Sequence, residues 1–324
     1  VSKRVTIKSI AEELGISHMT VSRALSGNPN VQKSTADAVR KRAEEMGYVR
    51  NAAARAMRGD ESRIVGLLVP NITNDFYARF ANSFAEACDR EGLHLIIHLT
   101  KDNHELEGQA MLRLRELQAR AVVSVPTPLP DGAQAGATTD MHLVQLIRER
   151  GDGADSVLVD DAGAIRDAVL HLHGRGHRRI AYIGAPDTLS SGRGRLAAFR
   201  SGITAAGLEF DTDLVRTEPP SIGMGERLTR TIVSHSDATA LVCGGFEISN
   251  GALKAAMQLG TLNRGLDFVG YGNPDFYAWI GRGLTTIDIP VVGLADCAVR
   301  MVGEEGEVPL TGRQTFPARL VVRD

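Results

Sequence analysis

His18, Met19, Thr20, Ser22 and Arg23 lie within six consecutive residues of a 324-residue chain. They offer an imidazole, an apolar tip, two hydroxyls and a guanidinium. On one helical face this set suits DNA. An arginine can donate twice to guanine, worth roughly 1–3 kcal/mol of discrimination against a wrong base. Serine and threonine hydroxyls serve phosphates better than bases. His18 can donate or accept, whereas Met19 can only pack, either against a thymine methyl or inside the protein.

The surrounding residues must position that set. TIKSIAEELGISHMTVSRAL spans Thr6 to Leu25. Ile7, Ile10, Ala11 and Leu14 recur at the spacing of one helical face. Gly15 breaks the pattern as a residue able to take positive φ at a helix end. Ser17 is an N-cap candidate, since its hydroxyl can accept from the free N–H groups of the next turn. Val21, Ala24 and Leu25 then form the buried face of a second helix. After the Asn28-Pro29 turn, a third helix is expected from Lys33 to Met46. Val39, Ala43 and Met46 would be its inward stripe, with Ser34 and Asp37 at capping-box spacing.

Charge is distributed to match. Residues 1–58 hold eleven Lys/Arg against five Asp/Glu, a balance of +6; the whole chain is −2, so residues 59–324 carry −8. A basic head on an acidic body is the asymmetry expected where one end binds nucleic acid. Hydrophobic residues make up 43%, enough for full cores. No apolar run reaches the roughly 18–20 residues of a membrane span. The start VSKRVTIKS lacks the apolar core of a secretory signal. Cys88, Cys243 and Cys297 are far apart in sequence. They read as small buried hydrophobes in a reducing compartment. The expected location is the bacterial cytoplasm, with no membrane partner.

Beyond residue 62, apolar strands alternate with amphipathic helices. Strands are expected at 64–69, 95–99, 121–125, 143–147, 156–159, 179–183, 240–243 and 267–271. Helices are expected at 76–92, 105–117, 165–174, 196–206, 228–234 and 249–259. This alternation argues an α/β body of parallel sheets wrapped by helices. The Pro- and Gly-containing tract 126–139 reads as a loop, and FPARLVVRD at 316–324 as a last strand.

The chain resembles the lactose-repressor/galactose-repressor family of bacterial regulators along nearly its whole length. The matching segments are TIKSIAEELGIS, TVSRALSG and GYVRNAAARAMR, then IVGLLVPNITNDFY at 64–77. HLHGRGHRRIAYIG at 171–184, GRLAAF at 194–199, NGAL at 250–253, FVGYGNPDF at 268–276 and GLTTI at 283–287 continue the series in order. The resemblance implies a small all-α helix-turn-helix headpiece (1–47), a hinge helix (48–62) and a two-subdomain periplasmic-binding-protein-like body (63–324). The subdomains would comprise 63–160 with 291–314, and 161–288 with 315–324.

It also implies a sequence-specific transcriptional regulator, more simply a repressor, that binds operator DNA as a homodimer. No heptad tail of the kind with which some relatives form tetramers follows the expected last strand in this sequence, so a dimer is the expected state. Thr6, Ser17, His18, Met19, Thr20, Ser22 and Arg23 would contact DNA, with His18, Met19 and Arg23 reading bases in the major groove. Asn51, Arg55 and Met57 would contact it from the hinge. Met57 stands where family hinges have leucine, as an apolar wedge for the minor groove or as a plain linker residue. AAARAM at 52–57 is too short to hold a helix alone in water and is expected to fold on DNA.

The resemblance places a small effector between the subdomains. Arg195 would bond it, as a fork of five donors suited to hydroxyls or a carboxylate. Sugar-binding relatives often carry Asn-Asp where this chain has Gly245-Phe246, and Asp where it has Gly272. Each loss removes an acceptor for sugar hydroxyls. Glu247, Asn273 and Asp275 are the substitutes at hand. Phe246, Phe276 and Trp279 would form an aromatic wall, although core packing accounts equally well for Trp279. Asp75, Phe76 and Tyr77 follow the first strand, where ligands of open α/β sheets collect. Asn74 is a helix cap, and Asp161 either binds hydroxyls or caps a helix. The candidate effector set is thus Asp75, Phe76, Tyr77, Asp161, Arg195, Phe246, Glu247, Asn273 and Phe276. A sugar, sugar acid or derivative is expected, with a nucleobase or other non-sugar metabolite as the alternative.

No cofactor and no metal are expected: His171, His173 and His177 fall at a helix end. No GxxxxGK[ST] or GxSxG pattern occurs, so an enzyme is not expected. The rival class is a soluble ligand-binding receptor or transport component sharing the two-lobed body; the basic headpiece and the absence of a secretory signal speak against it.

Overall fold

A computed structural model describes residues 5–48, 62–129, 141–262, 264–303 and 310–323. The chain divides into two compact units, Val1–Glu61 and Ser62–Asp324. The expected hinge contacts Asn51, Arg55 and Met57, and most of the 126–139 tract, lie outside the described residues.

The first unit contains three short helices, α1 (Ile7–Leu14), α2 (His18–Leu25) and α3 (Lys33–Glu45). Thr6 caps α1 through a reciprocal box: its hydroxyl accepts from the Ser9 N–H, and its own N–H donates to Ser9 Oγ at 2.8 Å. Gly15 ends the helix in the left-handed region at φ +63°. Ser17 caps α2, accepting from the Thr20 N–H at 3.0 Å. The capping box expected at Ser34 and Asp37 is absent. Gln32 occupies the N-cap position without a side-chain bond. Its carbonyl already accepts from the Ala36 N–H at 2.9 Å, which places Ser34 inside the first turn. Ile10, Val21, Ala24, Leu25, Val39 and Ala43 form the core. Arg42 ties α3 to α1 through Glu13 at 2.5 Å.

The second unit has two six-stranded sheets. Its strands are β1 (Ile64–Val69), β2 (His94–Leu99), β3 (Ala121–Ser124), β4 (His142–Leu146), β5 (Asp155–Asp160), β6 (Ile180–Gly184), β7 (Val215–Thr217), β8 (Ala240–Cys243), β9 (Asp267–Tyr271), β10 (Thr286–Asp288), β11 (Arg313–Pro317) and β12 (Arg319–Val321). The first sheet runs β11-β5-β4-β3-β1-β2 and the second β12-β10-β9-β8-β6-β7. All neighbours are parallel except β10 and β12.

The body helices are α4 (Asp75–Arg90), α5 (His104–Glu116), α6 (Ala162–Gly174), α7 (Ser190–Ala205), α8 (Ile222–His235), α9 (Phe246–Leu259) and α10 (Val291–Val302). Helix α4 packs on α10, α6 on α7 and α8 on α9. Phe76, Phe80, Phe84 and Cys88 line the buried face of α4 at helical spacing against Val65, Leu67 and Val69. On the other face of that sheet, Leu114 of α5 meets Leu68 and Val122.

The chain passes between lobes three times: after β5, after β10 and at Ala318. That last passage corrects the expected boundary at 314/315, because residues 315–317 remain in β11. It also splits the expected single terminal strand. The Ala318 N–H makes the last bond of the β11–β5 ladder, to the Asp160 carbonyl at 2.9 Å, after which β12 enters the other sheet. Helices α7 and α8 begin six residues before their expected starts. The first turn of α7 is glycine-rich without an apolar stripe, while that of α8 sets Met224, between Gly223 and Gly225, in line with Leu228 and Ile232.

Candidate DNA-reading helix and effector cleft

On α2 the packing separates two faces. Val21, Ala24 and Leu25 are buried, whereas His18 and Arg23 are exposed and Met19 is 55% exposed. Met19 is therefore presented to solvent rather than packed inside. Ser17 Oγ and Thr20 Oγ1 stand 2.9 Å apart within the cap. Thr6 is likewise occupied by its bonds to Ser9. These three hydroxyl residues fix the helix starts, while His18, Met19 and Arg23 project freely; Ser22 is half-buried beside them.

In the body, strand ends of both lobes converge on one cleft. Asn74, Phe76, Tyr77, Asp102 and Arg148 line it from the first lobe, and Arg195, Phe246, Glu247 and Tyr271 from the second. The free space is about 60 Å³. Ligand pockets commonly offer roughly 300–1,000 Å³. The cleft is thus nearly closed, and contacts cross it, those of Glu247 with the Asn74 and Asn71 side chains among them. Phe76 and Phe246 bring their ring centroids to 5.5 Å. The Glu149 N–H donates to Ser190 Oγ at 2.9 Å, and Arg79 Nη1 reaches the Asn273 carbonyl at 3.5 Å.

Each lobe contributes one buried arginine paired with an aspartate. Arg195 Nε donates to Asp161 Oδ2 at 2.6 Å and Nη1 to the Gly244 carbonyl at 3.0 Å. Its guanidinium lies 4.1 Å from the Tyr271 ring centroid. The Tyr271 hydroxyl donates to the same Asp161 oxygen at 2.5 Å. Burial works against the charge of Arg195, but Tyr271 and Asp161 more than offset it, so its pKa is raised. Burial drives the Tyr271 pKa well above its ordinary range and that of Tyr77 up to about 12, keeping both hydroxyls protonated.

Across the cleft, Arg148 Nη1 donates to Asp102 Oδ1 at 2.6 Å, while its Nε is buried without a partner among the described residues. The residue before it explains the placement. Ile147 holds φ +54°, and the Arg148 N–H closes back on the Leu146 carbonyl at 2.7 Å. This is a γ-turn of the strained sign. For a β-branched residue such a conformation costs on the order of 1–3 kcal/mol. The turn ends β4 and swings Arg148 into the cleft. Glu247, at the start of α9, has its pKa raised, chiefly by burial and secondarily by Asp102, with the Asn74 and Asn71 amides opposing.

Of the nine expected effector residues, Phe76, Tyr77, Arg195, Phe246 and Glu247 line this cleft. Asp161 stands behind Arg195. It neither caps α6 through its side chain nor lines the cavity; Arg195 and Tyr271 both engage its Oδ2. Three residues fall outside. Asp75 faces Arg79 on its own helix at 3.6 Å. Asn273 accepts from Arg323 Nη2 at 2.7 Å. Phe276 packs edge-on against Tyr277 in the second lobe's core. Trp279 is 76% exposed and forms no wall, and Asp275 is likewise not among the lining residues. Arg148, Asp102 and Tyr271 were not anticipated. His177 bridges Asp267 at 2.9 Å and Thr239 at 2.9 Å as a structural tie.

Residues 6–51 match the bacterial regulatory proteins of the lacI family, and residues 169–324 match the periplasmic binding protein-like domain. The chain thus carries a LacI-type DNA-binding domain and a periplasmic-binding-protein-like domain, and the relatives it matches are LacI/GalR family regulators. The maltose regulon regulatory protein MalI of Escherichia coli (strain K12) is 28% identical over 311 residues, covering 93% of this chain and 90% of MalI. The regulator GalR of the same organism is 26% identical over 300 residues, covering 91% and 88%. In fold, the lac repressor dimer bound to operator and the anti-inducer ONPF matches with a TM-score of 0.84 at 22% identity, over 99% of this chain and 98% of that one. These relatives are regulators rather than enzymes. No described helix is long and apolar enough to cross a membrane.

The departures at Phe246 and Gly272 prove to be one feature. A Cβ on Gly272 would stand 2.0 Å from Cε1 of Phe246. The ring occupies the space into which a side chain at 272 would project, and then reaches Phe76 across the cleft.

Proposed function

We propose that this LacI-family chain is a repressor that binds operator DNA as a homodimer in the cytoplasm, with its affinity set by a small hydroxyl-bearing effector in the interlobe cleft. The observation that carries the effector reading is the pair of facing ion pairs, Arg195–Asp161 and Arg148–Asp102. Each sets donors beside acceptors with no net charge, which suits hydroxyl groups better than a free anion. The Phe76 and Phe246 rings, tilted by 39° to each other, add an apolar aromatic surface. A sugar or sugar derivative with one apolar face fits this chemistry. Among related structures, the regulator CelR is seen in complex with cellobiose.

In this reading, His18, Met19 and Arg23 take the major groove, and Asn51, Arg55 and Met57 the minor groove from the 48–62 segment. The effector alters DNA affinity only through its differential affinity for the open and closed cleft. Operator-like DNA titrated at two salt concentrations tests the DNA half: affinity should fall steeply with salt. Salt-insensitive binding, or none, would leave the ligand-receptor reading instead. A thermal-shift screen of neutral sugars, sugar acids and nucleobases tests the effector half, since a ligand of the native state raises the melting midpoint by mass action. The aromatic wall would also stack a nucleobase, so a response confined to nucleobases would replace the sugar reading.

A further inference from the structure

We propose that a basic cavity at the far end of the second lobe is a binding site for a phosphate-bearing small molecule. The cavity measures about 620 Å³, within the range of metabolite pockets. It opens near Asp267 and Thr285, at the starting ends of β9 and β10, whereas the effector cleft lies beyond their finishing ends at Tyr271 and Ile289. It is therefore a separate site.

Four arginines line it: Arg175, Arg264, Arg282 and Arg323. Asp267 is the one carboxylate in the described lining, and it is already engaged. Arg175 Nε donates to it at 2.9 Å and His177 Nε2 lies 2.9 Å away. Burial opposes its charge, yet these two partners hold its pKa below the ordinary range. Arg264 and Arg282 have no carboxylate partner among the described residues. Arg323 is fixed by two neutral acceptors, the Leu284 carbonyl at 2.8 Å and Asn273 Oδ1 at 2.7 Å, which orient the guanidinium without neutralising it. The backbone makes room for its stem: a Cβ on Gly283 would lie 2.6 Å from Arg323 Cδ.

Three unneutralised guanidinium groups around one concavity repel one another, and the low-dielectric walls concentrate their field. An oxyanion relieves that repulsion, and planar guanidinium forks match phosphate oxygens. Phe268 and Leu284 supply an apolar floor for the organic part of the molecule. A concave site of this size admits a small phosphate ester rather than a duplex backbone.

The test uses full-length protein with pyrophosphate and phenyl phosphate as probes, against sodium chloride at matched ionic strength. Both probes should raise the melting midpoint of the wild type and bind in calorimetry. Arg264→Ala/Arg282→Ala removes two exposed side chains and should weaken binding at least tenfold, while Arg264→Lys/Arg282→Lys retains part of it. A wild-type response no larger than that to chloride overturns the proposal. So does equal binding by the alanine double variant. Sugar binding in the effector cleft should be unchanged in both variants, which separates this site from the first.

Discussion

Gly272 and Phe246 exclude each other's alternatives: the missing Cβ of the glycine is the space filled by the phenylalanine ring, at 2.0 Å from Cε1 and 2.2 Å from Cδ1. Gly272 also holds φ +86°, which penalises any side chain independently of the ring. Gly272→Ala should therefore cost about 1–3 kcal/mol from overpacking, in addition to the backbone penalty. Phe246→Ala alone should cost about 3–5 kcal/mol through the cavity it leaves. In the Phe246→Ala background the overpacking part should vanish and only the φ penalty remain. Urea denaturation of the four proteins measures this coupling; additive effects would mean that the ring and the glycine are independent.

The Arg195–Asp161 pair is buried on both sides. Asp161→Asn keeps the shape but leaves a buried guanidinium without its counter-charge, at a cost of about 3–5 kcal/mol. Replacing both residues with apolar ones should cost less. The same chemical denaturation reads it, and an unchanged midpoint for Asp161→Asn would show that Tyr271 and the Gly244 carbonyl suffice to hold Arg195.

Glu247 gives a pH dependence of definite sign. Its pKa in the folded protein is raised above the ordinary 4.5 because burial disfavours the carboxylate. The folded state therefore binds this proton more tightly than the unfolded chain. The associated stability is fully present below about pH 4.5 and is lost as pH rises through the folded-state pKa. Glu247→Gln removes that loss. Unfolding free energies measured along a pH series should show the variant gaining on the wild type over this window, and parallel curves would contradict it.

The reading helix makes a cleaner prediction, because its contact residues do not support the headpiece core. Arg23→Ala should weaken operator binding by about 1–3 kcal/mol and relax preference at one base pair. Met19→Ala should leave the melting midpoint of the protein in place, given its exposure. A thermal melt of the Met19→Ala protein resolves the second, and a gel shift against a panel of operator variants the first. From sequence alone, Met57→Ala is expected to weaken operator binding strongly while leaving effector binding unchanged, checked in the same assay with and without ligand.

Much of this architecture could be read from residue patterns. Gly15, Ser17 and the Val21–Leu25 face define the helical hairpin by local chemistry, and the α4 stripe at Phe80, Phe84 and Cys88 follows helical spacing. Helix α10 was missed although Val291, Leu294, Ala295, Ala298, Met301 and Val302 are buried at helical spacing. At the cleft, Arg195 and Phe246 were legible because they sit in matching segments. Arg148 was not: its direction depends on a strained turn at Ile147 that no periodicity encodes. Asn273 and Phe276 were placed there by nearness in sequence to Gly272, but Arg323 draws one away and Tyr277 packs the other into the core. Gly272 and Phe246 each stood out separately, while their mutual exclusion exists only in three dimensions.

The passages between lobes are stitched side by side. The Ala318 N–H bonds the Asp160 carbonyl at 2.9 Å, and Arg319 pairs with Asp288 at 3.0 Å, linking the third passage to the first and the second. Three adjoining tethers define a line, and two bodies joined along a line keep one easy degree of freedom, rotation about it. Ligands of different chemistry gripping the cleft at different points must then drive the same coordinate. The side chains at 246 and 272 can thus change what is sensed without redesign of the mechanical output, which lets specificity evolve separately from response.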